Sequence, residues 1–399
     1  MTEKTNIPQG YKDSPLGIIP KEWEVKRLGD VCYISVGRDV QVDHFSEFMT
    51  DDYKYPVYSN TIEEKGLYGF YNYEEFTKGK VTVVGRGVGL GTSFARDNGF
   101  GAIGRLVVLT PRNNLSNHYL ENYINSKVHF FVESAAIPQL TGEQIASYKI
   151  AIPPFPEQLL IENYIQLWDT AIEKQSKLIE KLKLRKRALM QQLFTGKKRL
   201  PEFSGEWKKR TYSSILTEVK RSLKWDENEL YKLISVRRRS EGLFFRESLY
   251  GRDIATKNLR PAKTGDFLIS KMQIVHGASG LVTDEFDDAK ISGSYISLVS
   301  KDPNILDIRY YNLWSQLPMF YHQTFVSSFG VHIEKMTFDI DTFMSFGMPL
   351  PHIDEQHAIV SLMESINKEI ELANEKLASL QSQKRGLMQQ LLTGKKRVI

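Results

Sequence analysis

The stretch KRALMQQLFTGKKR, Lys186–Arg199, returns near the end of the chain as KRGLMQQLLTGKKR, Lys384–Arg397. Twelve of the fourteen positions agree, so one chain carries two copies of one element. Outward from there, at a constant offset of 198 residues, the match reaches back to Glu157-Gln158 against Glu355-Gln356 and Pro153 against Pro351. Within the repeat the apolar residues step by three and four. The first copy has Ile165, Trp168, Ile172, Ile179, Leu182 and Leu189; the second has Met363, Ile366, Ile370, Leu377, Leu380 and Leu387. That seven-residue seam predicts a coiled-coil helix in each copy.

A helix from Glu157 to Phe194 would run about 57 Å at 1.5 Å per residue. It cannot bury its seam on itself, and its natural partner is the other copy. Prolines at 153, 154 and 156 bar an earlier entry, Asp354 is the expected N-cap of the second helix, and Gly196 and Gly394 sit where a left-handed C-terminal residue belongs. An antiparallel pair is expected, because each helix follows a large globular segment and must place the two segments at opposite ends. Lys186, Lys384 and Gln175 add polar positions to the seam, which weaken it but fix its register.

The segments ahead of the helices are rich in aromatic, β-branched and glycine residues. KVTVVG (Lys80–Gly85), RLVVLT (Arg105–Thr110), DFLIS (Asp266–Ser270) and SYISLVS (Ser294–Ser300) read as strands. Residues 117–135 and 308–323 read as helical. The chain therefore divides into a globular segment 1–152, a repeat helix 153–199, a second globular segment 200–350 and a second repeat helix 351–399. The fold class is α+β, with two mixed domains separated by an antiparallel helical pair in a pseudo-two-fold repeat.

The 399 residues carry a net charge of +5 and one cysteine, Cys32. A disulfide framework and a cysteine-based zinc site are thereby excluded. No apolar run approaches the roughly 20 residues a membrane span needs, so a cytoplasmic protein without a membrane partner is expected. The glycine run VGRGVGLGT (Val84–Thr92) has neither dinucleotide-loop nor phosphate-loop spacing. IPPF (Ile152–Phe155) lacks the Asp or Asn that an adenine methyltransferase places before its prolines. With no zinc-protease, hydrolase-elbow or nuclease-type constellation, no catalytic or metal-binding residue is assigned. Basic and amide side chains set among aromatics at turns are the groups suited to phosphates and base edges. On that ground the candidate DNA contacts are Tyr58, Asn60, Arg86 and Arg105 in the first domain. In the second they are Arg237, Arg238, Lys271, Gln273 and His276.

The paired starts PPFPEQ and PHIDEQ, the paired ends LMQQL-x-TGKKR, and the entry PKEW (Pro20–Trp23) beside SGEW (Ser204–Trp207) resemble the specificity subunits of type I restriction-modification enzymes. PVYSN…GLYG, VGRGVGLG and the exit IPQLTGEQIASYKIAIPPFPEQ are similar to that family too. The resemblance implies that each globular segment is a target recognition domain reading half of a split sequence in double-stranded DNA, with the helices as spacer. It implies as partners two methyltransferase subunits docking on the helical region and restriction/translocase subunits. S-adenosylmethionine, ATP and Mg would reside in those partners, with no cofactor in this chain. On residues alone, a stand-alone DNA-modifying enzyme and a coiled-coil scaffold that reads no DNA stay open.

Overall fold

The computed structural model describes residues 7–112, 114–131 and 139–398. The chain forms two compact units: Met1–Ser176 with Glu375–Ile399, and Lys177–Asn374. Each holds one globular domain and parts of both long helices, α1 (Phe155–Phe194) and α2 (Ile353–Leu391).

In the first unit a four-stranded antiparallel sheet has the order Cys32–Val36, Val107–Pro111, Lys80–Val83, Ser93–Arg96. Val81, Thr82 and Val83 are all buried, and for that reason the strand reads as a continuous run rather than an alternation. A second sheet orders Gly101–Ala102, Tyr55–Tyr58, Leu67–Tyr71, Phe45–Ser46, its first pair parallel. The strands Glu24–Arg27 and Lys149–Ile152 pair antiparallel and lead the chain into α1.

The second unit repeats the first sheet in the order Leu216–Glu218, Tyr295–Ser300, Phe267–Ser270, Ser279–Leu281, again antiparallel throughout. Its other sheet keeps the parallel pair, here Leu230–Val236 with Lys290–Ser292, but adds strands differently: Leu243–Tyr250, Leu230–Val236, Lys290–Ser292, Leu259–Pro261. Lys208–Thr211 with Gly347–Leu350 repeats the entry ribbon. One sheet is thus held constant between the domains while the other varies.

Within each unit the helical pairing is antiparallel. In the first, Ile161 and Ile165 from the start of α1 share a core with Leu391 and Leu392 from the end of α2, and Lys384 pairs with Asp169. In the second, Met190, Leu193 and Phe194 from the end of α1 share a core with Ile359, Met363 and Ile366 from the start of α2, and Arg185 lies 3.8 Å from Glu369. Of the expected seam, Ile165, Ile179, Leu182, Met363 and Ile366 are buried, and Trp168, Ile172, Leu189, Ile370, Leu377, Leu380 and Leu387 are half-buried.

Three details differ from expectation. Helix α1 begins at Phe155, with Pro156 inside its first turn, where the N–H that proline lacks has no helical acceptor anyway. Helix α2 begins at Ile353, so Asp354 lies in the first turn and is not the cap. The helical stretch 308–323 is two helices, Ile308–Trp314 and Pro318–Val326, because Pro318 cannot donate into a continuing helix and starts a new one. In the first domain the matching helix is Asn117–Lys127, Val128–Phe131 are not helical although the expected stretch included them, and its last residues, 132–135, lie outside the described residues.

The repeated termini form the same clasp in each unit. In the first, the buried Glu157 carboxylate accepts from Trp23 Nε1 at 3.0 Å and from Arg397 Nε and Nη2 at 2.6 and 2.8 Å. In the second, buried Glu355 accepts from Trp207 Nε1 at 3.0 Å and from Arg199 Nε and Nη2 at 2.6 and 2.7 Å. Gln158 and Gln356 repeat one another too, their amide nitrogens donating to Pro153 O at 2.9 Å and Pro351 O at 3.0 Å. Gly196 and Gly394 close the helices in left-handed conformation, φ 69° and 67°. Much of the repeat's sequence identity is therefore spent on contacts inside the chain.

Candidate nucleic-acid interface

In each domain the turn leaving the third strand of the constant sheet carries the candidate residues. In the first domain this turn follows Lys80–Val83 and runs through Gly85 and Arg86. The Asn60 amide pins it: Oδ1 accepts from Gly85 N at 2.8 Å, and Nδ2 donates to Gly104 O. Gly104 precedes Arg105, whose backbone is left-handed at φ 65°. Asn60 thus gathers Arg86 and Arg105, both exposed, at one end of the domain. Tyr58 is placed otherwise. The guanidinium of Arg96 lies 3.4 Å from its ring centroid, and Phe100 packs at 5.8 Å. Arg96 is itself buried, donating to Thr82 Oγ1 and Lys65 O, and desolvation lowers its pKa to about 10. Tyr58 and Arg96 support the site from beneath, and Arg96 is absent from the sequence-based candidates.

In the second domain the equivalent turn follows Phe267–Ser270 and holds Lys271, Gln273 and His276. It is tied to the turn Arg237–Gly242 by Arg239 N donating to His276 O at 2.7 Å and Ser240 N to Gly277 O at 2.8 Å. Arg239 and Ser240 take left-handed φ of 61° and 54° to make this tight reversal. Arg238 Nη2 and His276 Nε2 both reach Glu334, at 2.9 and 3.0 Å. Arg237 stacks over Phe244 at 4.9 Å. The Gln273 side-chain oxygen is buried without a hydrogen-bond partner among the described residues. All five second-domain candidates therefore lie on two turns bonded to one another. Glu334, which joins them, comes from a third segment and was not singled out from sequence.

That third segment is the hairpin of Ser328–Phe329 with Thr337–Phe338. Phe338 N donates to Lys271 O at 3.1 Å, and in the first domain Leu140 N donates to Gly85 O at 2.8 Å. Residues 140 and 338 stand at the same 198-residue offset as the helices, so Gly85 and Lys271 are equivalent positions of the two domains.

A polar cluster lies elsewhere in the first unit. His118 Nε2 is 2.9 Å from Asp97, and its Nδ1 is 3.7 Å from Glu121. The adjacent Glu121 carboxylate first, then the Asp97 charge, raise the His118 pKa to about 9 against partial desolvation. Among the described residues no group of three or more His, Cys, Asp or Glu side chains is arranged to hold a metal, and no helix is long and apolar enough to cross a membrane.

Two domains of one plan, a constant sheet in each, a polar turn at its end and an antiparallel helical pair define a duplicated, helix-linked recognition architecture. The family model for the type I restriction modification DNA specificity domain matches residues 20–184 and again 204–382. The chain belongs to that family: it is a specificity subunit of the type I restriction-modification class. It is similar to the type I restriction enzyme MjaVIII specificity subunit of Methanocaldococcus jannaschii, 23% identical over 95% of this chain and 94% of that one. A putative type I specificity subunit of Mycoplasma pneumoniae is 29% identical over 34% of this chain and 44% of its own length. Among solved structures, the specificity subunit of M. genitalium shares the fold at TM-score 0.58 and 12% identity, covering 98% of this chain and 99% of that one. A chain from a study of type I complex assembly and conformational transition shares it at TM-score 0.60 and 15% identity, covering 95% and 99%. Family membership makes the chain a recognition component and not a catalyst.

Proposed function

We propose that the two globular domains, 1–152 and 200–350, each read one half of a bipartite sequence in double-stranded DNA. Helices 153–199 and 351–399 set the gap between the halves. The observation that carries this reading is the equivalence of the two turns. They leave the same strand of the same sheet, yet one presents Gly85 and Arg86 and the other Lys271, Gln273 and His276. A constant frame with different donors at its end suits two readers of different base sequences. Arg86 and Arg105 in one domain, and Arg237, Arg238, Lys271, Gln273 and His276 in the other, are the reading and phosphate-holding candidates. Asn60 positions its loop, and Tyr58 supports it.

Two methyltransferase subunits dock along the helical pair, and restriction subunits join them, in the cytoplasm. Those partners carry S-adenosylmethionine, ATP and Mg. The test is competition binding by the assembled complex on duplexes altered in one half-site at a time. Arg86→Ala is expected to lower affinity by about tenfold and to reduce discrimination in one half only, and Lys271→Ala in the other only, at about 1 to 3 kcal/mol per lost base contact. Unchanged discrimination in both variants would remove these turns from the reading surface.

A further inference from the structure

We propose that Phe329, an exposed strand residue of the Ser328–Phe338 hairpin, is an apolar wedge that enters the duplex against a base step beside the half-site read by the second domain; this rests on the DNA-reading role proposed above. The hairpin's base is built into the domain, with Ser328 and Phe338 each 5% exposed. Beside that base Phe329, paired with Thr337, is 58% exposed, and in the loop beyond it Val331 is 95% and Ile333 49% exposed. Exposed apolar side chains clustered on one protruding element mark a surface completed by something else.

The hairpin is held in place before anything binds. Phe338 N bonds to Lys271 O, Asp339 N donates to Ser327 O at 2.8 Å, and Glu334 joins both Arg238 and His276. An aromatic fixed this way loses little freedom on binding. Its surroundings say what the occupant is. His332 and Lys335 are exposed in the same loop, Arg237, Arg238 and Arg239 are exposed on the turn to which Glu334 ties that loop, and Glu334 is already engaged by Arg238 and His276. An apolar surface together with basic side chains fits a polyanion with an apolar interior, which is a nucleic-acid duplex: cations take the phosphates while the ring unstacks a base step.

The first domain carries an exposed phenylalanine at the corresponding position. At the 198-residue offset Phe329 corresponds to Phe131, which is 83% exposed, with its backbone N donating to Tyr148 Oη at 2.7 Å. From 128 to 131 against 326 to 329 the sequences VHFF and VSSF keep the valine and the terminal phenylalanine while the residues between differ. Two domains that diverge at their reading turns thus retain a bare phenylalanine at one place. It distorts the duplex without selecting its sequence.

The experiment uses the chain assembled with its methyltransferase subunits, and target duplexes with 2-aminopurine placed step by step along each half-site. Binding is expected to raise the fluorescence at one step beside each half. Phe329→Ala should abolish the rise beside the second domain's half only, with about tenfold weaker binding. Phe329→Trp should retain the rise, and Phe131→Ala should act on the other half only. Phe329→Ala that binds and brightens the probe like the parent overturns the wedge. So does a variant that assembles poorly with the methyltransferase subunits but distorts DNA normally once assembled, since Phe329 would then be a protein contact. A parent complex that binds scrambled duplex as tightly as target overturns the reading role itself, a result separable from the behaviour of Phe329.

Discussion

Glu157 and Glu355 are buried carboxylates, each neutralised by an arginine from the far copy of the repeat. Removing the arginine leaves a buried charge without its partner, which costs about 3 to 5 kcal/mol. Arg397→Met is therefore expected to lower the unfolding free energy of the chain by about 3 kcal/mol in urea denaturation, while Lys26→Ala, which breaks the exposed pair with Glu24, changes it by less than about 1 kcal/mol. His118 gives a pH dependence. Its folded pKa of about 9 exceeds its ordinary 6.5, so the stabilisation is fully present below pH 6.5 and is lost as pH rises through 9. The side chain is 43% exposed, and screening holds the effect to about 1 kcal/mol. Thermal melts from pH 6 to 9.5 should fall more steeply for the parent than for His118→Gln; parallel curves would contradict the assignment. At this scale the sequence was only partly legible. Residue type nominated Tyr58 and Arg86 alike, and only the fold separates the ring covered by Arg96 from the guanidinium left exposed. The Glu157–Arg397 pair is closed across 240 residues, and no local pattern announces it.

The long helices were the most legible elements, because a helix that must fit its own copy repeats its seam at a fixed period over its whole length. Their ends were legible to within a turn. Pro156 and Asp354 misplaced the starts by one or two residues, since a first helical turn tolerates both residue types. The hairpin from Ser328 to Phe338 was not legible, because its partners at Lys271 and Arg238 lie far away in sequence and are fixed only by strand pairing. The spacer role has its own test. Four residues inserted in each helix at equivalent seam positions add about 6 Å of rise and nearly keep the face. The unread gap of the target is expected to lengthen by one or two base pairs, and an unchanged gap would show that the helices do not set it.

At the scale of the molecule, one plan is written twice with two tolerances. The constant sheets, entry ribbons, helix ends and clasps match closely, whereas the second sheets add strands at different places and the turns carry different side chains. Duplication of the frame was visible in KRALMQQLFTGKKR and its copy and in the like entries PKEW and SGEW, while which strands and turns correspond was hidden by divergence and emerges from strand order. The proposed assembly, two like partners on an asymmetric target, calls for matching docking surfaces and differing readers, and this division of tolerance suits both. The most direct measurement is a map of methylated adenines in cells that hold the partner methyltransferase subunits, with and without this chain. A split motif of two unlike halves, present only with the chain, is the predicted result. An identical map in both cells, where the complex demonstrably assembles, would contradict the account.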